Sequence, residues 1–192
     1  MFHDGNRDLQ AQFGSTVLAD RLVDVNNRSL FNETDKNFIE HLSFFFLATA
    51  SPEGCPDCSF KGGLPGFVKI TKADCLVFPD YDGNGMFKSL GNIRSNPNVG
   101  LLFIAMGDDQ RRLRVNGTAT VELESPLIRE FDGAQAIVSV TPIHIFPNCP
   151  RYIPDLANGK VSEYLTDNEA VPIEPAWKNY EDFRDVVPKR KR

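Results

Sequence analysis

Residues 79–117 read PDYDGNGMFKSLGNIRSNPNVGLLFIAMGDDQRRLRVNG, which sets a glycine-rich turn, a helix opening, a buried strand and an arginine-bearing strand in immediate succession. Asp82-Gly83-Asn84-Gly85 breaks the chain, and Met86, Leu90 and Ile93 after it keep a helical apolar spacing that Asn96-Pro97 ends. This spacing predicts a helix starting at Asn84 or Gly85. The first N–H groups of such a helix lack intrahelical acceptors and carry the positive end of its dipole. A phosphate suits that position, with Lys88 as its counter-charge. In the strand that follows, period two places Arg112, Arg114 and Asn116 on one face and Leu113 and Val115 on the other. The arginine face fits an anion, whose oxygens guanidinium binds in pairs, and fits a solvated outer surface equally well.

Outward from this stretch the chain is a series of short β-like runs. Phe44 to Ala50, Cys58 to Lys61, Phe67 to Thr71, Cys75 to Pro79, Val99 to Met106, Arg111 to Glu122 and Gln135 to Phe146 each suit a strand. The phosphate-site helix is inserted after the fourth, and a second short helix is expected near Ser125 to Phe131. The dense spacing predicts a mainly β (α+β) fold: a small closed or partly closed barrel of about six or seven strands with short peripheral helices. Ahead of it, Leu9, Phe13, Val17, Leu18, Leu22 and Val25 follow a helical face with an interruption at Gly14-Ser15, which predicts an N-terminal helical arm. Another short helix is expected from Thr34 or Asp35 to His41, with Phe38, Ile39 and Leu42 facing inward. The expected division is an arm over 1–42, a barrel domain over 43–147 and a C-terminal extension over 148–192. A dinucleotide-binding domain is excluded by the strand order and by the lack of a GxGxxG fingerprint, and a P-loop is absent as well.

The composition of the 192 residues supports one core rich in aromatics, with fifteen phenylalanines against one tryptophan. A net charge of −5 argues against a nucleic-acid binder, and the terminal Lys189-Arg190-Lys191-Arg192 is assigned no function. The polar N-terminus lacks the apolar core of an export signal. The longest apolar run, Phe44 to Ala48, is far shorter than a bilayer span, so a cytoplasmic protein without membrane partners is expected. Cys55, Cys58, Cys75 and Cys149 are then expected as free thiols. Cys55-Pro56-Asp57-Cys58 has redox spacing but reads as part of a hairpin rather than a helix start. No second ligand pair is present to complete a metal site, and no metal is expected.

Two further segments carry candidate binding residues. Ser59-Phe60-Lys61-Gly62-Gly63-Leu64-Pro65-Gly66 would let backbone approach a flat ligand, with Ser59 and Lys61 on one face, or would form an ordinary hairpin. Arg151-Tyr152 after the last strand could stack on an aromatic ligand, or the arginine could simply pack on its neighbour. None of His3, His41 and His144 stands beside a nucleophile motif, and His144 reads as structural. No catalytic residue emerges, so any chemistry would come from a cofactor.

The order FFFLATA, CSFKGG with PGFVKI, LVFPDYDGNGMFKSLGNIRSNPNVGLLF and RLRVNG resembles the pyridoxamine 5′-phosphate oxidase-like family of FMN-binding split barrels. It is nearest to an uncharacterised bacterial branch that also carries FPNCPRYI, and the resemblance runs from about Phe2 to Ile153. It implies a homodimer of split β-barrels with FMN held at the subunit interface. By position it implies Ser59, Phe60, Lys61 and Gly62 passing the flavin, and the backbone of Phe78, Pro79, Asp80 and Tyr81 meeting its ring. Asn84, Lys88 and Ser89 would take the phosphate, Arg112 would stand near the flavin, and Arg151 and Tyr152 would reach over from the second subunit. The implied activity is a flavin-dependent oxidoreductase that moves hydride through flavin N5 between a small organic molecule or NAD(P)H and the cofactor. A non-catalytic flavin carrier or sensor is the alternative, and related barrels bind F420 or haem. Two departures point away from pyridoxamine phosphate oxidase itself. Phe87-Lys88 stands where that enzyme has Arg-Lys, and the chain ends FRDVVPKRKR in place of a segment ending Arg-Leu-x-Pro.

Overall fold

In the computed structural model, which describes residues 1–107, 109–160, 162 and 173–188, the β-like runs form one antiparallel sheet of seven strands. The strands are β1 (Phe44–Ala50), β2 (Pro56–Gly62), β3 (Lys69–Lys72), β4 (Cys75–Tyr81), β5 (Asn98–Ala105), β6 (Arg111–Glu122) and β7 (Ala134–Asn148). Their order across the sheet is β2-β1-β5-β6-β7-β4-β3. Four strand spacings separate β1 from β4, about 19 Å on a flat sheet. Yet the ring of Phe45 on β1 lies 5.0 Å from that of Phe78 on β4 and 5.1 Å from Phe103 on β5. The sheet therefore curls over its own inner face into a split barrel, and Phe45, Leu47, Phe78, Leu101, Phe103, Leu113 and Val115 fill it.

Period-two alternation sets this core. On β1, Phe45, Leu47 and Thr49 are buried while Phe44, Phe46 and Ala48 face outward, and on β6 Leu113 and Val115 are buried beside exposed Arg114 and Asn116. The 15-residue β7 is long enough to pair with both β6 and β4, and a bulge between Asn116 and Gly117 re-registers its pairing with β6. Gly117 is required there, because a Cβ at this position would stand 2.1 Å from the Thr141 carbonyl oxygen.

The helices follow expectation except at their starts. The arm forms α1 (Asp4–Gln12) and α2 (Thr16–Asn26), with the break at 13–15 where the glycine and serine fall. Neither helix buries a residue, and the arm joins the barrel through a two-way backbone bridge between Arg28 and Ile145. α3 (Glu33–Glu40) is capped by Asn32 rather than by Thr34 or Asp35. Asp35 instead completes a reciprocal capping box with Asn32 and takes a two-pronged hydrogen bond from Arg28 at 2.5 and 3.1 Å. Ile39 is fully buried, and Phe38 and Leu42 pack against the core.

The helix after the glycine turn, α4, runs Lys88–Ser95, three or four residues later than its spacing predicts. Leu90 and Ile93 are buried as expected, but Met86 is 71% exposed and belongs to the turn. Two left-handed residues, Gly85 (φ 71°) and Phe87 (φ 48°), swing the chain into the helix, and the Asn84 side chain accepts the Met86 N–H. The second short helix is a 3₁₀ turn over Pro126–Glu130. No described helix is long and apolar enough to cross a membrane. Of the C-terminal extension, 161, 163–172 and the basic tail 189–192 lie outside the described residues.

Candidate functional site

The curled sheet leaves a gap between β2 and β4, and α4 closes one end of it. Around the gap lies a cavity of about 480 Å³, within the range of small-molecule sites. Its walls are β2, the end of β4, the 82–87 turn, the start of α4 and Gln135 on β7.

The inward face of β2 supplies the polar groups in a ladder. Asp57, Ser59 and Lys61 alternate on that face, while the exposed Phe60 turns its ring outward onto Phe44, stacked at 5.4 Å. Each rung meets a different element. The Asp57 carboxylate lies 3.5 Å from Lys88 Nζ, the Ser59 and Ser89 hydroxyls share a hydrogen bond at 3.0 Å, and Lys61 Nζ lies 3.7 Å from Asp80 Oδ1. Gln135 Nε2 donates to the other Asp80 oxygen at 3.0 Å and to the Tyr81 carbonyl at 3.2 Å. At the α4 end, the first-turn amides, Lys88 and Ser89 meet the cavity together, which makes this end the anion-attracting one. The lining as a whole carries two lysines, Lys61 and Lys88, against Asp57, Asp80 and Asp82. An anion at this end would therefore be held by local geometry and not by an excess of positive charge.

Ten of the fourteen residues singled out from the sequence line this cavity: Ser59, Phe60, Lys61, Gly62, Pro79, Asp80, Tyr81, Asn84, Lys88 and Ser89. Phe78 does not, because its side chain is fully buried in the barrel core and only its backbone belongs to the cavity strand. Arg112, Arg151 and Tyr152 also lie elsewhere, at the β6–β7 side of the sheet, where Arg112 Nη2 donates to the Cys149 carbonyl at 2.5 Å. Arg112 sits below arginine's ordinary value, first through burial and then through the repulsion of Arg114, with Arg151 adding to it and Cys149 opposing. Tyr152 is held at φ 68°, and the Arg151 guanidinium lies 5.6 Å over its ring.

Sequence reasoning missed Asp57, Gln135 and Phe87. Asp57 was legible in principle, two residues from Ser59 in the same alternation, but it lies inside the CPDC stretch that draws the eye to its cysteines. Cys55 and Cys58 are free and exposed, and Cys58 stands on the extended strand that carries Asp57. His144, expected as a satisfied structural residue, has a buried Nδ1 with no hydrogen-bond partner among the described residues.

The family model described as pyridoxamine 5′-phosphate oxidase matches residues 31–149. No curated protein sequence matches the chain. Among solved structures, HupZ from Group A Streptococcus is 15% identical, with a TM-score of 0.51 over 62% of this chain and 94% of its own. A provisionally named pyridoxamine 5′-phosphate oxidase from Lactobacillus delbrueckii is 18% identical, with a TM-score of 0.50 over 64% of this chain and 99% of its own. At such identities the likeness is one of fold. The family match takes in every strand from β1 to β7 together with the cavity between β2 and β4, and by that match the chain belongs to the pyridoxamine 5′-phosphate oxidase-like family.

Proposed function

We propose that the cavity between β2 and β4 binds FMN, and that the protein is a flavin-dependent oxidoreductase acting on a small organic molecule. The observation that carries this is the convergence of α4's first-turn amides, Lys88 and Ser89 at one end of a cavity walled by extended backbone. That combination suits a phosphate at one end and a flat ring along the strands. Ser89 would bind the phosphate while Ser59 fixes its rotamer, and Lys88 would exchange Asp57 for a phosphate oxygen. Pro79, Asp80 and Tyr81 would lie along the ring, with Lys61 held toward it by Asp80. Bound FMN supplies the capacity to accept and donate hydride, and the protein supplies orientation and electrostatics.

A non-catalytic flavin carrier is the second reading. It is favoured by one observation: the carboxylate best placed in the cavity, Asp80, is engaged by both Lys61 and Gln135, and no histidine lines the walls. Both readings place the chain in a homodimer. The outward rings of Phe44, Phe46 and Phe60 form a continuous cluster, stacked or edge-on at 5.4 to 6.0 Å, and Leu102 pairs beside Phe46. Such a face suits burial against a second copy. Arg112, Arg151 and Tyr152 would reach a flavin only across that interface.

The test is the absorbance spectrum of purified protein after FMN addition and gel filtration. Retained flavin bands that are lost in Lys88→Ala combined with Ser89→Ala support the site, and retention unchanged by both substitutions overturns it. Bleaching by NADH or NADPH, followed by reoxidation with an acceptor, separates enzyme from carrier.

A further inference from the structure

Three Asn-Gly pairs occur in the chain, at 84–85, 116–117 and 158–159. Glycine has no Cβ to shield its backbone nitrogen, so that nitrogen can attack the carboxamide carbon of the preceding asparagine wherever the backbone folds the two together. The three pairs are folded very differently. Asn116-Gly117 lies inside β6, where the extended backbone is held between β5 and β7 and Gly117 is pressed against the Thr141 carbonyl. No turn can form there. Asn158 faces Asp155, whose carboxylate accepts from its Nδ2 at 2.8 Å and from its backbone N–H at 3.2 Å. The nitrogen that would have to leave is thereby held.

Asn84-Gly85 differs from both. It is exposed, in the turn before α4, with Gly85 at φ 71° and nothing within 4 Å of the place a Gly85 Cβ would take. The turn is open to water and to base. Asn84 Oδ1 accepts the Met86 N–H at 3.0 Å. That bond closes a ring containing both Asn84 Cγ and Gly85 N, so the carboxamide carbon is folded back toward the nitrogen that must attack it. The same N–H stands at the oxygen on which negative charge develops during the attack.

We propose that Asn84 is a site of self-modification, converting through a succinimide to aspartate and isoaspartate at the α4 end of the cavity. Solvent base removes the Gly85 amide proton, and Gly85 N forms a bond to Asn84 Cγ. The Cγ–Nδ2 bond then breaks, and ammonia leaves with its electron pair and a proton from solvent. Water opens the ring, giving aspartate where the new Cγ–N bond breaks and isoaspartate where the Asn84 C–N bond breaks. One water is consumed and one ammonia released, with no change of oxidation state.

Either product changes the anion-attracting end. A further carboxylate joins Asp57, Asp80 and Asp82 in a lining whose cations are Lys61 and Lys88. Isoaspartate also carries the main chain through an extra CH₂ just before the left-handed residues Gly85 and Phe87, which aim the first-turn amides of α4. Loss of FMN affinity with age follows, a consequence that rests on the function proposed above, whereas the modification itself does not.

The experiment ages the full chain in warm, mildly alkaline buffer, with and without saturating FMN. Peptide mapping by mass spectrometry then follows the three Asn-Gly pairs, with an isoaspartyl methyltransferase as the probe for isoaspartate. The 84–85 pair should convert ahead of the other two, bound FMN should slow it, and Asn84→Gln, which would need a larger and less favourable ring, should abolish the signal. Fresh Asn84→Asp should bind FMN about two- to fivefold more weakly than wild type, the effect of one exposed charge, with riboflavin unchanged. Aged wild type should lose at least as much. The proposal is overturned if Asn84 stays intact while either other pair converts, or if it converts no faster in the folded chain than in urea. Conversion with undiminished FMN affinity refutes the regulatory consequence. Fresh protein that binds no FMN refutes the proposed function instead, and the peptide map alone then decides the modification.

Discussion

Asp57→Asn should tighten FMN binding. The Asp57 carboxylate is largely buried at the α4 end of the cavity, where the proposed phosphate would lie, 3.5 Å from the one lysine at the start of α4. A phosphate oxygen accepting from Lys88 Nζ would lie no farther than about 6 Å from Asp57 Oδ1, since such a hydrogen bond spans about 2.8 Å. Two unit charges at that separation repel by about 0.7 kcal/mol in bulk water and about 2.8 kcal/mol at an effective dielectric constant of about 20. Lys88 is 61% exposed, so the environment is closer to the water limit, and a phosphate carries more than one charge. The net gain for Asp57→Asn is then about 1–2 kcal/mol, or about 5- to 30-fold in affinity. Stability should change by less than about 1 kcal/mol, because an exposed lysine keeps its hydration when its partner is removed. Quenching of flavin fluorescence measures this directly, with FMN and riboflavin titrated in parallel. FMN should tighten while riboflavin, which has no phosphate, stays within about twofold, and the FMN gain should shrink as salt rises. An equal gain for riboflavin would show that Asp57 does not act on the phosphate. Weaker FMN binding would show that Asp57 mainly orients Lys88, and would refute the repulsion argument.

Other substitutions probe the rest of the molecule. Ser89→Ala should weaken FMN more than riboflavin, by about 1–2 kcal/mol if the hydroxyl bonds the phosphate, as the same titrations would show. If the chain dimerises as proposed, Phe60→Asp should yield monomer in sedimentation where the wild type sediments as a dimer, because it sets a charge in the middle of the Phe44–Phe46–Phe60 cluster. Gly117→Ala should lower stability by more than about 2 kcal/mol in urea unfolding, since its Cβ meets backbone at 2.1 Å and β7 must shift. Arg28→Met should cost about 3–5 kcal/mol in the same assay, because it leaves the buried Asp35 carboxylate without its cation.

The barrel was legible because its strands alternate so regularly. Phe44–Ala50 and Arg111–Glu122 match their expected bounds, as burial on one face demands. The start of α4 was not legible, since Met86 and Phe87 continue the apolar pattern of Leu90 and Ile93 and only three-dimensional packing leaves Met86 in solvent. Nor does any local signal announce that Phe87 will adopt a left-handed conformation. Period two showed that Arg112 and Arg114 share a face. It could not show on which side of a curled sheet that face lies, and hence not that both stand away from the β2–β4 cavity. Partners across the gap, such as Asp57 with Lys88 and Lys61 with Asp80, depend on how far the sheet curls, a property of the whole core and not of either segment.

The long β7 also dictates when the cavity can exist. β4, which carries Asp80 and Tyr81, pairs with β7 and the short β3 and with no other strand. On a growing chain, β1, β2, β5 and β6 can pair among themselves, but β4 joins their sheet only after residues 134–148 have emerged. Until then the Asp80 wall has no fixed place opposite Lys61. Any ligand of this cavity must therefore wait for this late, long-range closure, and a chain truncated before β7 would carry most of the cavity residues without a cavity.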